Sequence, residues 1–304
     1  MLPSYAFELL DCRQVVAYQH LTYPVYRPQL LEAVQSGALV AVAATDGTRA
    51  VGLALARYPK DSRRGVVLSL YVSPQHRRRG LGKTMFGMLG DELRRRGCLE
   101  AQATFMDGTP STPAVERILS HHGWSPPLER MRVCTATRDS IVSLPWLHDL
   151  SLPESFESFP WSTLKAGERQ ALLEQEASDP RYPEFLSPFR EEHLIEPLNS
   201  LGLRYQGQVV GWLITHRIAS DTIRYTSLFV REDLRALGRA IPLIARAIRL
   251  QLEDGRAGKG TFAVFVQNRA MTSFIQRRLA PHLATIRKSW ESRLAFAPAD
   301  TPAG

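Results

Sequence analysis

The feature that most constrains this chain is that it repeats itself. Leu70-Tyr71-Val72 recurs as Leu228-Phe229-Val230, and without a gap Arg77, Gly80 and Gly82 fall on Arg235, Gly238 and Ala240. In both places the surrounding pattern is a β-rich run, a loop and an amphipathic helix. A correspondence over all three is the mark of a duplicated structural unit. It restricts the 304 residues to two copies of one fold, in agreement with the size at which single cores stop growing. We assign an N-terminal domain to residues 1–142, a linker bearing Pro145, Pro153 and Pro160 to residues 143–160, and a C-terminal domain to residues 161–304.

Within the first copy, residues 11–35 read as helical, broken by Pro24 and Pro28. Two β-rich runs, 38–44 and 50–58, flank the turn pair Asp46-Gly47 and predict a hairpin. A strand is expected over 66–72, a helix over 83–96 stopped by Gly97, a strand over 99–105, a short helix over 113–121 and a last strand over 130–136. The second copy predicts a helix over 164–176, a hairpin around Gln206-Gly207, a strand over 222–230, a helix over 237–253, a strand over 261–266 and a helix over 271–279. Alternating strands and helices in both halves give a mixed α/β class.

Composition narrows the function classes. Hydrophobic residues make up 44% and charged residues 22%, as in an ordinary globular protein. No apolar run approaches the roughly 20 residues of a membrane span, and the first residues lack a signal-peptide pattern. Cys12, Cys98 and Cys134 have no metal-ligand or disulfide spacing, which implies free thiols, no metal and a cytoplasmic setting. The net charge of +8 calls for a polyanionic partner. The run Arg94-Arg95-Arg96 closes a helix, where cations complement the dipole, and reads as a solvated face. The run Arg77-Arg78-Arg79 opens a helix, where cations are misplaced unless an anion sits among them.

The segment from Val72 to Lys83 joins a strand to that helix. Gly80 and Gly82 lack the Cβ atoms that would block a ligand, and they permit positive φ. Amides of the loop and first helical turn can then converge on a phosphate, with arginines adding charged contacts. By themselves the residues suit either a pyrophosphate cradle or an ordinary strand–helix turn. They fit neither the dinucleotide fingerprint nor the P-loop.

What the segment resembles is the coenzyme A signature of the GCN5-related N-acetyltransferase (GNAT) superfamily, Q/R-x-x-G-x-G/A. Arg77-Arg78-Arg79-Gly80-Leu81-Gly82 matches it in full, after a typical Val72-Ser73-Pro74, and His122-Gly123-Trp124 stands where the family ends a helix in Gly-Phe. Arg235 to Ala240 also satisfies the signature, and Asn268 occupies a position where such proteins often hold a cofactor-touching Asn. The resemblance implies two tandem GNAT domains and an acyltransferase using acetyl-CoA or another acyl-CoA, with a small-molecule or peptide amine as acceptor. It further implies a bulge that splays the strand at Leu68 to Val72 from its neighbour, with pantetheine bonded along Leu70 and Val72. The cofactor residues so implied are Leu70, Val72, Arg77, Arg78, Arg79, Gly80, Leu81, Gly82 and Lys83. A monomer or homodimer is expected, without membrane or nucleic-acid partners.

The catalytic pattern departs from the family. The positions of its usual Tyr acid are Leu119 and Ile275, and those of its Glu base are Val66 and Arg224. Tyr71 is the nearest hydroxyl in the first copy and is the one catalytic candidate, although a strand Tyr more often packs. His20, Tyr23, His76, His121, His122 and Glu100 read as surface or core residues. The second loop has Ala240 for Gly82, Ile241 for Lys83, and the acids Glu232 and Asp233 beside it, so the first copy is the expected cofactor site. A non-catalytic acyl-CoA-binding sensor or scaffold is the alternative function.

Overall fold

The computed structural model describes residues 4–58, 63–144, 146–178, 184–235 and 238–296. The chain divides into two compact units, one of residues 1–130 with 288–304 and the other of residues 131–287.

The first unit carries strands β1 (Tyr5–Leu9), β2 (Leu39–Asp46), β3 (Arg49–Arg57), β4 (Arg64–Val72) and β5 (Glu100–Met106). Its helices are α1 (Leu30–Gln35), α2 (Leu81–Arg95) and α3 (Thr112–His121). The β2–β3 hairpin closes at Asp46↔Arg49, with Gly47 at φ +59° supplying the turn. Strands β1 to β4 pair antiparallel in order, and β4 then pairs parallel to β5.

One face of this sheet is covered by α2, which buries Leu81, Met85, Phe86, Leu89 and Leu93. That spacing is the apolar stripe of an amphipathic helix. Glycines on the strands make room for it: a Cβ on Gly52 would lie 2.7 Å from Met85, and one on Gly65 would lie 2.7 Å from Leu93. Each such fully buried side chain contributes about 1.5–3 kcal/mol. The opposite face is covered by 3₁₀ turns over Val15–Leu21 and Pro24–Gln29 and by α1, packing Val15, Tyr18, Leu21 and Leu30 onto Leu53 and Leu55. Most of the helix expected over 11–35 is therefore 3₁₀; the prolines leave only one short α-helical stretch.

The second unit follows the same plan. Most of strand β6 (Leu128–Thr137) lies in it, followed by α4 (Arg138–Val142), α5 (Trp146–Asp149), β7 (Phe156–Pro160) and α6 (Ala166–Ser178). Next come β8 (Leu201–Tyr205), β9 (Gln208–Ala219), β10 (Thr222–Val230), α7 (Glu232–Arg235), α8 (Ala240–Asp254), β11 (Lys259–Phe265) and α9 (Arg269–Phe274). A final strand, β12 (Thr285–Ala295), ends the described chain. Helix α8 covers one face of β8–β10, and Trp161, Leu172, Trp212 and Ile214 fill the other.

The two copies exchange their last strands. β12 pairs antiparallel with β5 through Ser289–Ala295, completing the first unit, whereas β6 pairs with β11 through Met131–Thr137 in the second. The division expected at residue 142 therefore falls inside the second unit, because partner strands and not chain order define the cores. The segment expected as a linker is structured there: Leu147 on α5 is 0% exposed and Phe159 on β7 is 3% exposed. Pro145, and the loop residues Ala236 and Leu237, lie outside the described residues. The expected helix over 237–253 is described from Ala240 onward, and that over 271–279 is α9 continued by a π turn over Ile275–Leu279. Strands β1 and β12 are additions to the elements read from sequence.

The duplication extends to the bulge before the loop. β4 is bulged at Leu68, where the β3 register jumps from Leu55↔Ser69 to Ala56↔Val67. β10 is bulged at Thr226, where the β9 register jumps between Tyr225 and Ser227. Leu68 and Thr226 stand at the same separation as Gly80 (φ +84°) and Gly238 (φ +69°).

Candidate active site

β4 pairs with β5 only from Arg64↔Glu100 to Val67↔Ala103. From the bulge at Leu68 the two strands have no further register, and the five residues Leu68 to Val72 of β4 run on along an open edge. Ser73 N–H donates to the Val51 carbonyl at 2.8 Å. The alternation of an antiparallel ladder therefore turns the polar groups of Tyr71 toward β3, and those of Leu70 and Val72 toward the open side. An open slot results, edged at the two positions expected to bind pantetheine by backbone that no neighbouring strand pairs.

The loop above it begins with a 3₁₀ turn at Pro74–His76 and enters α2 through Gly80. Gly80 has open space where a Cβ would stand, so its positive φ is what demands glycine there. Gly80 caps α2 without any side-chain bond, leaving the first amides of the helix without intrahelical partners. A Cβ on Gly82 would lie 3.4 Å from Ile118, 3.7 Å from Val72 and 3.8 Å from Leu70, all ordinary contacts. Those three apolar side chains floor the slot just below the bare amides. Leu81 is 2% exposed and can offer a ligand only its backbone.

The cations of the loop differ in their engagements. Arg77 Nε donates to the Val72 carbonyl at 2.9 Å, and its guanidinium lies 5.9 Å from the Tyr71 ring. Arg79 donates to the Tyr5 hydroxyl at 2.8 Å, which in turn meets His76 Nδ1 at 3.1 Å. Among the described residues Arg78 and Lys83 have no such side-chain partner, and Arg78 takes the left-handed conformation at φ +63°. A non-glycine residue there costs of order 1–2 kcal/mol. The loop thus fixes Arg77 and Arg79 against the protein and presents Arg78 and Lys83 beside unsatisfied amides.

The helix start is held from below as well. His122 Nε2 donates to the Lys83 carbonyl at 3.0 Å, and its ring fills the space that a side chain on Gly87 would need. That contact makes His122 a structural residue, as expected. His121 rests edge-on against it, and His20 meets the Ala17 carbonyl. Glu100 pairs with Arg64 at 2.9 Å. Leu119 is 2% and Ile275 1% exposed, so both usual acid positions are core.

Tyr71 lies on the sheet face opposite Leu70 and Val72 and is 36% exposed. Two residues away on that face, Ser69 Oγ meets Thr22 Oγ1 at 2.9 Å, and both residues are buried. This pair, and the Tyr5 pin, went unread in the sequence. Partners 47 and 74 positions apart leave no local signal.

The second copy keeps the slot geometry but not its chemistry. β10 pairs with β11 only from Thr222↔Lys259 to Tyr225↔Phe262. In its loop, however, Arg231 is bound by Asp233 at 2.8 Å and 3.0 Å, and Arg239 lies over the Phe156 ring. Asn268 accepts the Met271 N–H at 3.1 Å and caps α9. Where the first copy has Val66, Arg224 is paired with Glu191. His216 is 1% exposed and contacts Thr226 at the bulge at 2.6 Å, and its burial lowers its pKa from the ordinary 6.5. In the Arg94–Arg96 run, Arg94 and Arg95 are exposed, as a solvated face requires, and only Arg96 is half-buried. Arg95 and Arg96 both bind the buried Glu92 at 2.7 Å, and Arg96 also binds the Gly37 carbonyl.

Residues 4–119 match the acetyltransferase (GNAT) family. Among solved structures, a tandem GNAT protein from the clavulanic acid biosynthesis pathway matches with a TM-score of 0.69 at 15% identity, over 98% of this chain and 100% of that one. A GCN5-related N-acetyltransferase from Sphaerobacter thermophilus matches with a TM-score of 0.62 at 19% identity, over 98% of both chains. A glucosamine N-acetyltransferase region of a fungal multi-domain β-N-acetylglucosaminidase matches with a TM-score of 0.65 at 15% identity, over 97% of this chain and 38% of that one. No curated protein gave a match.

Proposed function

Since residues 4–119 belong to the acetyltransferase (GNAT) family and the chain has a tandem GNAT fold, we propose that it is an acyl-CoA-dependent N-acyltransferase. The observation that carries this reading is the open β4 edge leading to a helix start with bare amides and two cations that, among the described residues, no side chain holds. The site suits CoA by its chemistry. The α2 amides, Arg78 and Lys83 would hold the diphosphate, while Leu70 and Val72 would pair with the amides of the pantetheine arm. Arg77, tied to the Val72 carbonyl, would set the angle between strand and loop. The second copy, with an acid-bound Arg231 and a helix α7 in its loop, would serve as scaffold or acceptor-binding domain.

In the reaction, an uncharged amine attacks the thioester carbonyl, a C–N bond forms, the C–S bond breaks and CoA leaves as a thiolate. One proton leaves the nitrogen and one is taken up by sulfur. With Leu119 and Val66 where the family has an acid and a base, the protein's contribution is chiefly orientation, which can lower a barrier by several kcal/mol. Water carries the amine proton. The thiolate needs little assistance, since thiols titrate near pH 8.5. Tyr71 would be the protein hydroxyl nearest the thioester. Among the described residues no helix is long and apolar enough to cross a membrane, and we place the protein in the cytoplasm.

The test is release of free CoA thiol from acetyl-CoA in the presence of a panel of amines. Thiol release above the amine-free rate supports an enzyme; tight CoA binding without release on any amine favours a sensor. Arg77→Glu should weaken CoA more than tenfold in calorimetry. An unchanged affinity there, with loss in Arg235→Glu, would move the site to the second copy.

A further inference from the structure

The closed end of the β4–β5 slot has a wall on each side. On the α2 side, Val67, Ala101 and Ala103 pack into the core with Leu89 and Leu93, all of the last four 5% exposed or less. On the opposite side, Leu68 packs against Leu53 and Leu55, both 0% exposed, and against the 3₁₀ turn that carries Leu21. Where that turn ends, Thr22 reaches across to Ser69, the residue next to the bulge, and the two hydroxyls bond at 2.9 Å with each residue 8% exposed. The Thr22 carbonyl is held in turn by two donors of Arg27, at 3.3 Å and 3.2 Å. From Val72 to Val67 the slot offers about 16 Å of strand before paired backbone blocks it.

We propose that the Thr22–Ser69 pair is a gate on acyl length, closing the only face toward which an acyl chain could continue beyond the thioester. This rests on the placement of acyl-CoA in the slot given above. A thioester at the bulge meets ladder pairing ahead and helix-packed core on one side. Its acyl substituent must turn toward Thr22 and Ser69. A methyl or ethyl group fits before that wall. A longer chain has to break a buried hydroxyl pair, leaving two polar groups under apolar cover, and push a turn anchored by Arg27 off the sheet.

The experiment is calorimetry of the full chain with free CoA, acetyl-CoA, butyryl-CoA and octanoyl-CoA. Wild type is expected to bind CoA and acetyl-CoA within threefold of each other and octanoyl-CoA at least tenfold more weakly. Thr22→Gly should recover most of that tenfold for octanoyl-CoA with free CoA unchanged, and Thr22→Ser, which keeps the bond, should retain the exclusion. Should Thr22→Gly fail to fold, Ser69→Ala cuts the bond with the loss of one atom and is expected to improve octanoyl-CoA about threefold. Octanoyl-CoA binding to wild type as tightly as acetyl-CoA, or no gain in either opened variant, overturns the gate and leaves the acyl-CoA site standing. Absence of binding by free CoA itself overturns both.

Discussion

Arg78→Gly separates the two things the loop does, because fold and ligand pull on that residue in opposite directions. In the protein alone Arg78 sits at φ +63° with no side-chain partner among the described residues, so its conformation is a cost without a visible return. Glycine removes a strain of about 1–2 kcal/mol, and its extra freedom in the unfolded chain takes back about 0.5–1 kcal/mol. The net change in stability is a gain of up to about 1.5 kcal/mol, or a few degrees in Tm at this size. Binding should move the other way. A charge-assisted contact to phosphate is worth about 1.5–3 kcal/mol where water is excluded. The loop is exposed, so the lower end applies, and CoA affinity should fall about tenfold. The salt dependence of binding should weaken with it, because one screened charge is gone. The assay pairs a thermal melt with CoA calorimetry at two salt concentrations. A variant that melts several degrees below wild type would show that Arg78 holds the loop. One that binds CoA as wild type does would show that the strained cation is not there for a phosphate. Either result refutes the argument.

Three further outcomes are expected. Tyr71→Phe should lower turnover by less than tenfold across pH if orientation and water carry the chemistry; a hundredfold loss would show that the hydroxyl is a specific acid. Glu92→Gln should destabilise the chain by about 2 kcal/mol, because Glu92 is buried and takes three bonds at 2.7 Å from Arg95 and Arg96. The bond from Arg95 is the chief reason its carboxyl is held below the ordinary 4.5, so this stability is present above pH 4.5 and is lost as pH falls through the lowered value. A melt of the variant that matches wild type at pH 7 would contradict this. His216, whose burial holds it below its usual 6.5, takes up a proton more readily unfolded than folded. Stability should therefore fall as pH drops below 6.5, and His216→Gln should flatten that limb of the curve in denaturant titrations. An unchanged slope would place the titration elsewhere.

Much of this protein is determined by its local sequence. The repeat, the strand–loop–helix around Gly80, the Asp46-Gly47 hairpin and the apolar stripe of α2 are all legible, because period, turn chemistry and φ preference act over a few residues. The signature loop, and its decay in the second copy through Ala240 and Asp233, are legible for the same reason. The exchange of β6 and β12 is not. A strand's sequence states which of its faces is apolar and leaves its partner open, and β12 finds β5 across some 185 residues. Nor does sequence divide the work among three adjacent arginines. It places them in one run, whereas the Val72 carbonyl, the Tyr5 hydroxyl and a left-handed backbone give each a different task. The same holds at the closed end of the slot. Thr22 and Ser69 are two ordinary hydroxyl residues in the chain, and only the packing of a 3₁₀ turn onto a bulged strand removes both from water and makes them one another's partner. Local chemistry fixes which elements form and where a phosphate could sit; the buried long-range contacts, whose energy exists only once water has left, decide what those elements enclose.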